Sequence, residues 1–302
     1  MEYRLKTLWK FKMLYLFLIP GMIYYVVFRY FPMYGVVIAF KDFSIMDGIV
    51  GSGWANPWYK HFVYFYESPY FTQLLSNTLL ISVYKLVFGT IPPIVLALLL
   101  NECAVRWFKS FVQTVTYMPY FLSWVIISGI LIALLSQNSG VVNYFIKEAG
   151  GESVPFLTST EYFRSILIAS DIWQSIGYNA IIYLAAITGI DATLYEAARV
   201  DGASRLRMIW SITLPGIRNV IILLVVLKLG HIMDAGFEQI YILYNIQVYP
   251  VADILDTWVF RTGLQQMNFS LASAVGLFKS VIGLVLVVLA NSLAKRWGEN
   301  VW

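Results

Sequence analysis

Charge is scarce in this chain. Asp, Glu, Lys and Arg make up 13% of its 302 residues, about half the share of an ordinary soluble domain. Two globular domains, the usual expectation at this length, need more charge than that to coat their surfaces. Cysteine is represented by Cys103 alone, which excludes an intramolecular disulfide and a thiolate metal cluster. Histidine occurs twice, at His61 and His231, which leaves little material for a zinc site. The excess of Lys and Arg over Asp and Glu is four, with no long basic run, so nothing marks a nucleic-acid partner. No Gly-Lys dipeptide occurs, hence no phosphate-binding loop, and H-E-x-x-H and G-x-S-x-G are missing as well. No carboxylate pair sits in a catalytic setting, which argues against a membrane enzyme.

What is abundant is apolar. Hydrophobic residues reach 59% and mean hydropathy is +0.70. A bilayer core about 30 Å thick needs roughly 20 apolar residues in a helix, and six runs qualify: 13–31, 74–100, 112–135, 164–186, 219–234 and 272–293. They are continuous rather than alternating, which disfavours a strand barrel. The first is preceded by Arg4, Lys6, Lys10 and Lys12, as a signal peptide would be. Its far end is the bulky Phe28-Arg29-Tyr30-Phe31-Pro32, so it reads as a retained anchor rather than a cleaved leader. The expected fold is an all-α integral membrane protein with six transmembrane helices.

Orientation follows from Lys and Arg. With the N-terminus inside, the inner segments 1–12, 101–111, 187–218 and 294–302 hold Arg4, Lys6, Lys10, Lys12, Arg106, Lys109, Arg199, Arg205, Arg207, Arg218, Lys295 and Arg296. The longer outer segments and their borders hold Arg29, Lys41, Lys60, Lys147, Arg164 and Arg261. The positive-inside rule therefore puts both termini in the cytoplasm. Among the outer segments, 32–73 is rich in Trp, Tyr and Phe and suits the membrane interface. Segment 136–160 reads as an exposed loop, and 253–265 within 235–271 as a short helix.

The inner loop between the fourth and fifth spans reads EAARVDGASRLRMIWSITLP, from Glu196 to Pro215. Residues 194–200 and 205–213 are expected as two short helices, with Gly202 allowing the turn between them and Pro215 ending the second. Ala197 and Ala198 leave a low face fit to enter a cleft in another protein. Glu196 either contacts such a partner or caps its own helix. Arg199 and Asp201 either pair across the joint or stand in solvent.

Glu-Ala-Ala, three residues, Gly, nine residues, Ile, one residue and Leu-Pro resemble the signature loop of binding-protein-dependent ABC importer permeases. The match falls on Glu196, Ala197, Ala198, Gly202, Ile212, Leu214 and Pro215 without a gap. Stretches 32–54 and 273–299 look like the polysaccharide and oligosaccharide permeases of the carbohydrate-uptake branch, found mainly in Gram-positive bacteria. The resemblance implies a type I importer permease fold in a bacterial cytoplasmic membrane. Residues 1–73 would be an anchor helix and first extracytoplasmic loop, 74–293 a five-helix core with coupling loop 187–218, and 294–302 a cytoplasmic tail. It further implies a second permease chain, two cytosolic ATPase subunits that bind ATP-Mg, an external solute-binding protein and an oligosaccharide substrate. This chain would hold no cofactor of its own. Glu196, Ala197, Ala198, Arg199, Asp201, Gly202, Ile212, Leu214 and Pro215 would couple it to the ATPase.

Polar groups inside spans are costly and so mark function. Asn77, Lys85, Asp171, Gln174, Asn179, Lys228, His231 and Asp234 qualify, with Tyr178 and Tyr183 as stacking surfaces for a sugar; Asp171 and Asp234 lie near the outer ends, where charge costs less. Asp171, Gln174 and Tyr178 share one helical face. These groups line a sugar path or hydrogen-bond neighbouring helices. Lys85 and Lys228 would favour an acidic oligosaccharide such as a uronate, unless either pairs with a carboxylate of a partner chain. The competing readings are a permease for a non-sugar solute and a channel. Ser175-Ile176-Gly177-Tyr178 weakly resembles a cation filter, but no pore helix precedes it.

Overall fold

The computed structural model describes residues 11–296; Arg4, Lys6 and Lys10, and the part of the 294–302 tail after Arg296, lie outside them. Among the described residues the regular structure is helical apart from one hairpin of two-residue strands, and the chain divides into two compact units.

The first unit comprises 1–68 and 259–278. Helix α1, Lys12–Phe40, is apolar on every side, and its most hydrophobic stretch has no buried residue. Such a helix has no core to face and suits lipid. A π turn at Val26–Tyr30 precedes Pro32, and a 3-10 segment, Tyr34–Phe40, ends the helix. Strands β1, Lys41–Asp42, and β2, Gly53–Trp54, pair antiparallel. The buried Lys41 ammonium organises the loop between them, donating to the carbonyls of Ile49 and Ser52 at 2.8 and 3.0 Å. Helix α2, Lys60–Tyr66, packs Phe62 on Phe40. The aromatic richness of 32–73 thus builds a small folded unit. Ser270 stitches the hairpin to the start of the last helix, accepting from Phe43 N–H and donating to the Lys41 carbonyl.

The second unit comprises 69–258 and 279–302. Its axis is helix α3, Phe71–Glu102, against helix α7, Phe163–Thr188. The buried positions of α7 are Phe163, Leu167, Ser170, Gly177, Ala180, Tyr183 and Ile187, a stripe with steps of three, four and seven. Small residues along it let backbones approach closely, as helix packing in a membrane requires. At Gly177 a Cβ would run into the Thr116 carbonyl of α4, Arg106–Tyr117.

The third run departs from expectation. It is not one continuous helix: α4 and the 3-10 turn Met118–Phe121 meet α5, Trp124–Leu135, at 107°. Pro119 supplies no amide hydrogen to continue the ladder. Leu122 is extended, and Ser123 caps the new helix by accepting Ile126 N–H. Segment 136–160 is more than a loop, since it contains α6, Val141–Glu148. Asn143, buried, ties both sides of that segment through Ser136 and Val154.

Beyond α7 come α8, Ala192–Val200, α9, Arg205–Gly216, and α10, Arg218–Gly230. Then follow α11, Phe237–Leu243, which the hydropathy pattern did not mark, and α12, Leu255–Phe260, within the expected 253–265 helix. The last helix is α13, Phe269–Arg296. Helices α1 and α3 and residues 269–292 of α13 are long and apolar enough to cross a membrane singly. The bent pairs α4–α5, α7–α8 and α9–α10 meet the same test when each is joined.

Candidate functional site

Two places gather the residues singled out by sequence. The first is the loop containing α8 and α9. Asp191 opens it: its carboxylate accepts Thr193 N–H at 2.9 Å. That bond and the Thr193 side chain hold the Asp191 carboxyl below its ordinary range. The end of α8 is closed by two backbone bonds, Ala203 N–H to the Ala198 carbonyl and Gly202 N–H to Arg199, at 2.9 and 3.0 Å. This is a Schellman termination, which needs a left-handed residue between helix and exit. Gly202 is that residue, at φ +74°. Ser204 then caps α9 by accepting Arg207 N–H.

Helix α9 widens into a π turn at Ile209–Thr213 and runs through Leu214–Gly216. Pro215 therefore does not end it, contrary to expectation. It sits in the first turn after the π segment, where a missing N–H leaves little unsatisfied. The helix bends by 56° only beyond Gly216. A hydroxyl pair pins the two arms of this lever: Tyr195 and Thr213 lie 2.9 Å apart, with Thr213 buried. Leu214 packs on Ala180, Tyr183, Ile187 and Ile217, and Ile212 is half-buried.

The opposite side faces out. Glu196, Ala197, Arg199, Asp201 and Pro215 are exposed, and Ala198 is half-buried. Asp191, not Glu196, caps α8. Arg199 and Asp201 make no ion pair among the described residues, whereas Arg205 reaches Glu102 at the end of α3, at 3.9 Å. Several large apolar side chains of α8 and α9 are exposed as well: Leu194, Val200, Leu206 and Trp210, the last 71% exposed.

The second place is a cleft of about 270 Å³ in the second unit. Lys85, Asp171, Lys228 and His231 line it, together with Asp234. Lys85 forms an ion pair with Asp171 at 3.2 Å and donates to Gln239. Gln239 is fully buried and donates to the Leu167 carbonyl and Ser170, so it holds the lysine from behind. Gly236 makes room for that arrangement: its φ is +87°, and a Cβ would collide with the Lys85 ammonium. Lys228 donates to the Gly89 carbonyl at 3.3 Å, with no carboxylate within ion-pair distance among the described residues.

The remaining candidates lie elsewhere. Asn77 is buried and fully used, donating to the Pro250 and Asp253 carbonyls and accepting from Arg164. Tyr183 is buried in the core and has no free face for a sugar. Gln174 and Tyr178 face the broken run, Gln174 donating to the Leu122 carbonyl and Tyr178 stacking on Tyr120 at 3.9 Å. Asn179 is half-buried and does not line the cleft. Sequence reading singled out Asp234 as a charge within a span but not its pairing with His231 and Lys279, and it missed Gln239 behind Lys85. A polar residue in an apolar run is visible in sequence, but which cation it meets is a matter of packing.

Long apolar helices that carry a polar cleft, with a sharply turned loop at Gly202, suit a membrane transport subunit. The chain belongs to the binding-protein-dependent transport system inner membrane component family, whose pattern covers residues 89–299. It is a permease subunit and not itself an enzyme. Among its relatives is the polygalacturonan/rhamnogalacturonan transport system permease protein YteP of Bacillus subtilis, 48% identical over 96% of this chain and 89% of that one. Protein LplB of the same organism is 42% identical over 96% and 90%. The fold also matches a chain in the crystal structure of a bacterial alginate ABC transporter in complex with alginate pentasaccharide-bound periplasmic protein. There the TM-score is 0.89, at 40% identity over 98% of both chains.

Proposed function

We propose that this chain imports an acidic, polysaccharide-derived oligosaccharide across a bacterial cytoplasmic membrane. Counting each bent pair as one span gives six, and the Lys and Arg distribution favours both termini in the cytoplasm. Residues 1–73 serve as anchor and first outer segment, 74–293 as the permease core, and 294–302 as an inner tail. The lever 187–218 then lies inside and docks on one of two ATPase subunits, which bind ATP-Mg in this chain's stead. A second permease chain completes the pathway, and an external solute-binding protein delivers the sugar. Relatives in Bacillus subtilis support a Gram-positive setting.

Closure of the ATPase pair on ATP pulls on α8 and α9. The Tyr195–Thr213 bridge and the Schellman turn make those arms move as one piece. Leu214 and Ile217, seated on the α7 core, pass the motion to the spans, which rock around the cleft. Differential affinity of ATP for the two ATPase arrangements supplies the bias.

The observation that carries the substrate reading is Lys228, an ammonium at the cleft with no carboxylate partner. A uronate carboxylate answers it, and the named substrates of YteP and of the alginate transporter are of that chemistry. Lys228→Met in the assembled transporter is expected to cut uptake of a trigalacturonate at least tenfold and that of a neutral trisaccharide less than twofold. Equal losses for both sugars discard the charge argument.

A further inference from the structure

The cleft presents two lysines and two carboxylates, Asp171 and Asp234, together with His231. On that census alone an anion gains little by entering. The balance is altered from behind the wall. Lys279, on α13 and outside the cleft, lies 2.7 Å from Asp234 Oδ1 and 2.8 Å from both oxygens of Asp256. Asp234 Oδ2 is engaged by His231 Nδ1 at 3.1 Å. Lys279 and Asp256 are largely shielded from solvent, with side-chain exposures of 17% and 22%, so screening by water does not erase their fields.

We propose that Lys279 is a specificity-determining residue that never touches the sugar: its one ammonium offsets part of the charge of Asp234 and Asp256 and so limits the repulsion that the cleft presents to carboxylates. It is a positioning residue in a second sense, since its ammonium ties α13 to α12 and to the turn that follows α10, where Asp234 lies. With Lys85 committed to Asp171 and Lys279 to Asp234 and Asp256, Lys228 is the cleft lysine with no carboxylate within ion-pair distance among the described residues. Without Lys279, Asp234 on the cleft wall keeps only His231 and Asp256 behind the wall loses its ammonium, so both oppose an entering anion. The inference rests on the acidic-oligosaccharide reading above.

The test uses the complete transporter with its binding protein, reconstituted in vesicles. Uptake of trigalacturonate is compared with that of its methyl-esterified form, which has the same rings without the charge. Discrimination by the binding protein is common to all variants and cancels in the comparison. For Lys279→Met the acid-to-ester ratio is expected to fall about tenfold, as a charge several ångströms away across partly shielded protein implies. Adding Asp234→Asn and Asp256→Asn to that variant is expected to restore the ratio. Asp256→Asn alone keeps Lys279 on Asp234, removes one negative charge and is expected to raise the ratio, so the proposal stays testable even if Lys279→Met fails to assemble. Equal losses for both sugars without rescue by the two asparagines mean a purely structural role and overturn the proposal. So does an unchanged ratio in Lys279→Met or in Asp256→Asn. A wild-type transporter that moves only the ester refutes the acidic reading itself, and this inference with it. That result differs from a wild type that moves the acid while Lys279→Met leaves the ratio alone.

Discussion

Gly202 concentrates the lever's geometry in one residue. Its φ of +74° closes α8, and nothing lies within 4 Å of where a Cβ would stand. Space is therefore not the constraint; backbone conformation is. A left-handed geometry costs an ordinary L-residue roughly 1–2 kcal/mol, and a β-branched one is a still poorer fit. Gly202→Val is expected to insert normally while the two arms lose their fixed angle, so that several-fold less ATPase co-purifies. Retention equal to wild type would remove Gly202 from the coupling path. This role was legible in sequence, because few positions other than a turn call for a Gly between two helical stretches. The Tyr195–Thr213 bridge was not, since no spacing rule pairs two hydroxyls eighteen positions apart. The same holds in the spans: Lys85 and Asp171 stand out as costly charges, yet their mutual pairing and the grip of Gln239 emerge only when α3, α7 and α11 are brought together. Asn77 shows the converse, a residue whose buried polarity serves the fold.

Among the elements, α3, α7 and α13 were readable as long apolar runs, and their bounds differ from the runs by a few residues. The α4–α5 break was not readable, because hydropathy averages over a run and is blind to whether the backbone turns within it. Pro119 and Ser123 held the local signal, one removing a donor and the other capping a new start. The stretch Ser175–Tyr178, which weakly resembles a filter, has a plainer use. Gly177 gives α4 its closest approach to α7, and Tyr178 closes the contact by stacking on Tyr120. Gly177→Val inserts a side chain where the Thr116 carbonyl already sits. It should force the pair apart at a cost of about 1–3 kcal/mol, read as a lower Tm of the purified transporter. An unchanged Tm would show that the two helices are free to separate without loss.

For the whole molecule, scarcity of charge turns out to organise the protein. Of the few ionised groups, one set lies in the loop around Gly202 and another in or behind the cleft. Membrane class and family were legible from apolar runs and from motif spacing, since each depends on residue type along the chain. Cleft polarity was not, because it depends on which charges cancel in space. The central claim is that transport runs only when an ATPase sits on the outward side of the lever, where Leu206 and Trp210 are exposed. ATP-driven uptake of trigalacturonate by the reconstituted transporter, wild type against Trp210→Asp, tests it most directly. The account predicts ATP-dependent uptake by the wild type and at least a tenfold loss in the variant, with the chain still inserted and its ATPase subunits no longer retained. Undiminished ATP-driven uptake by Trp210→Asp, with the ATPase still bound, would contradict it.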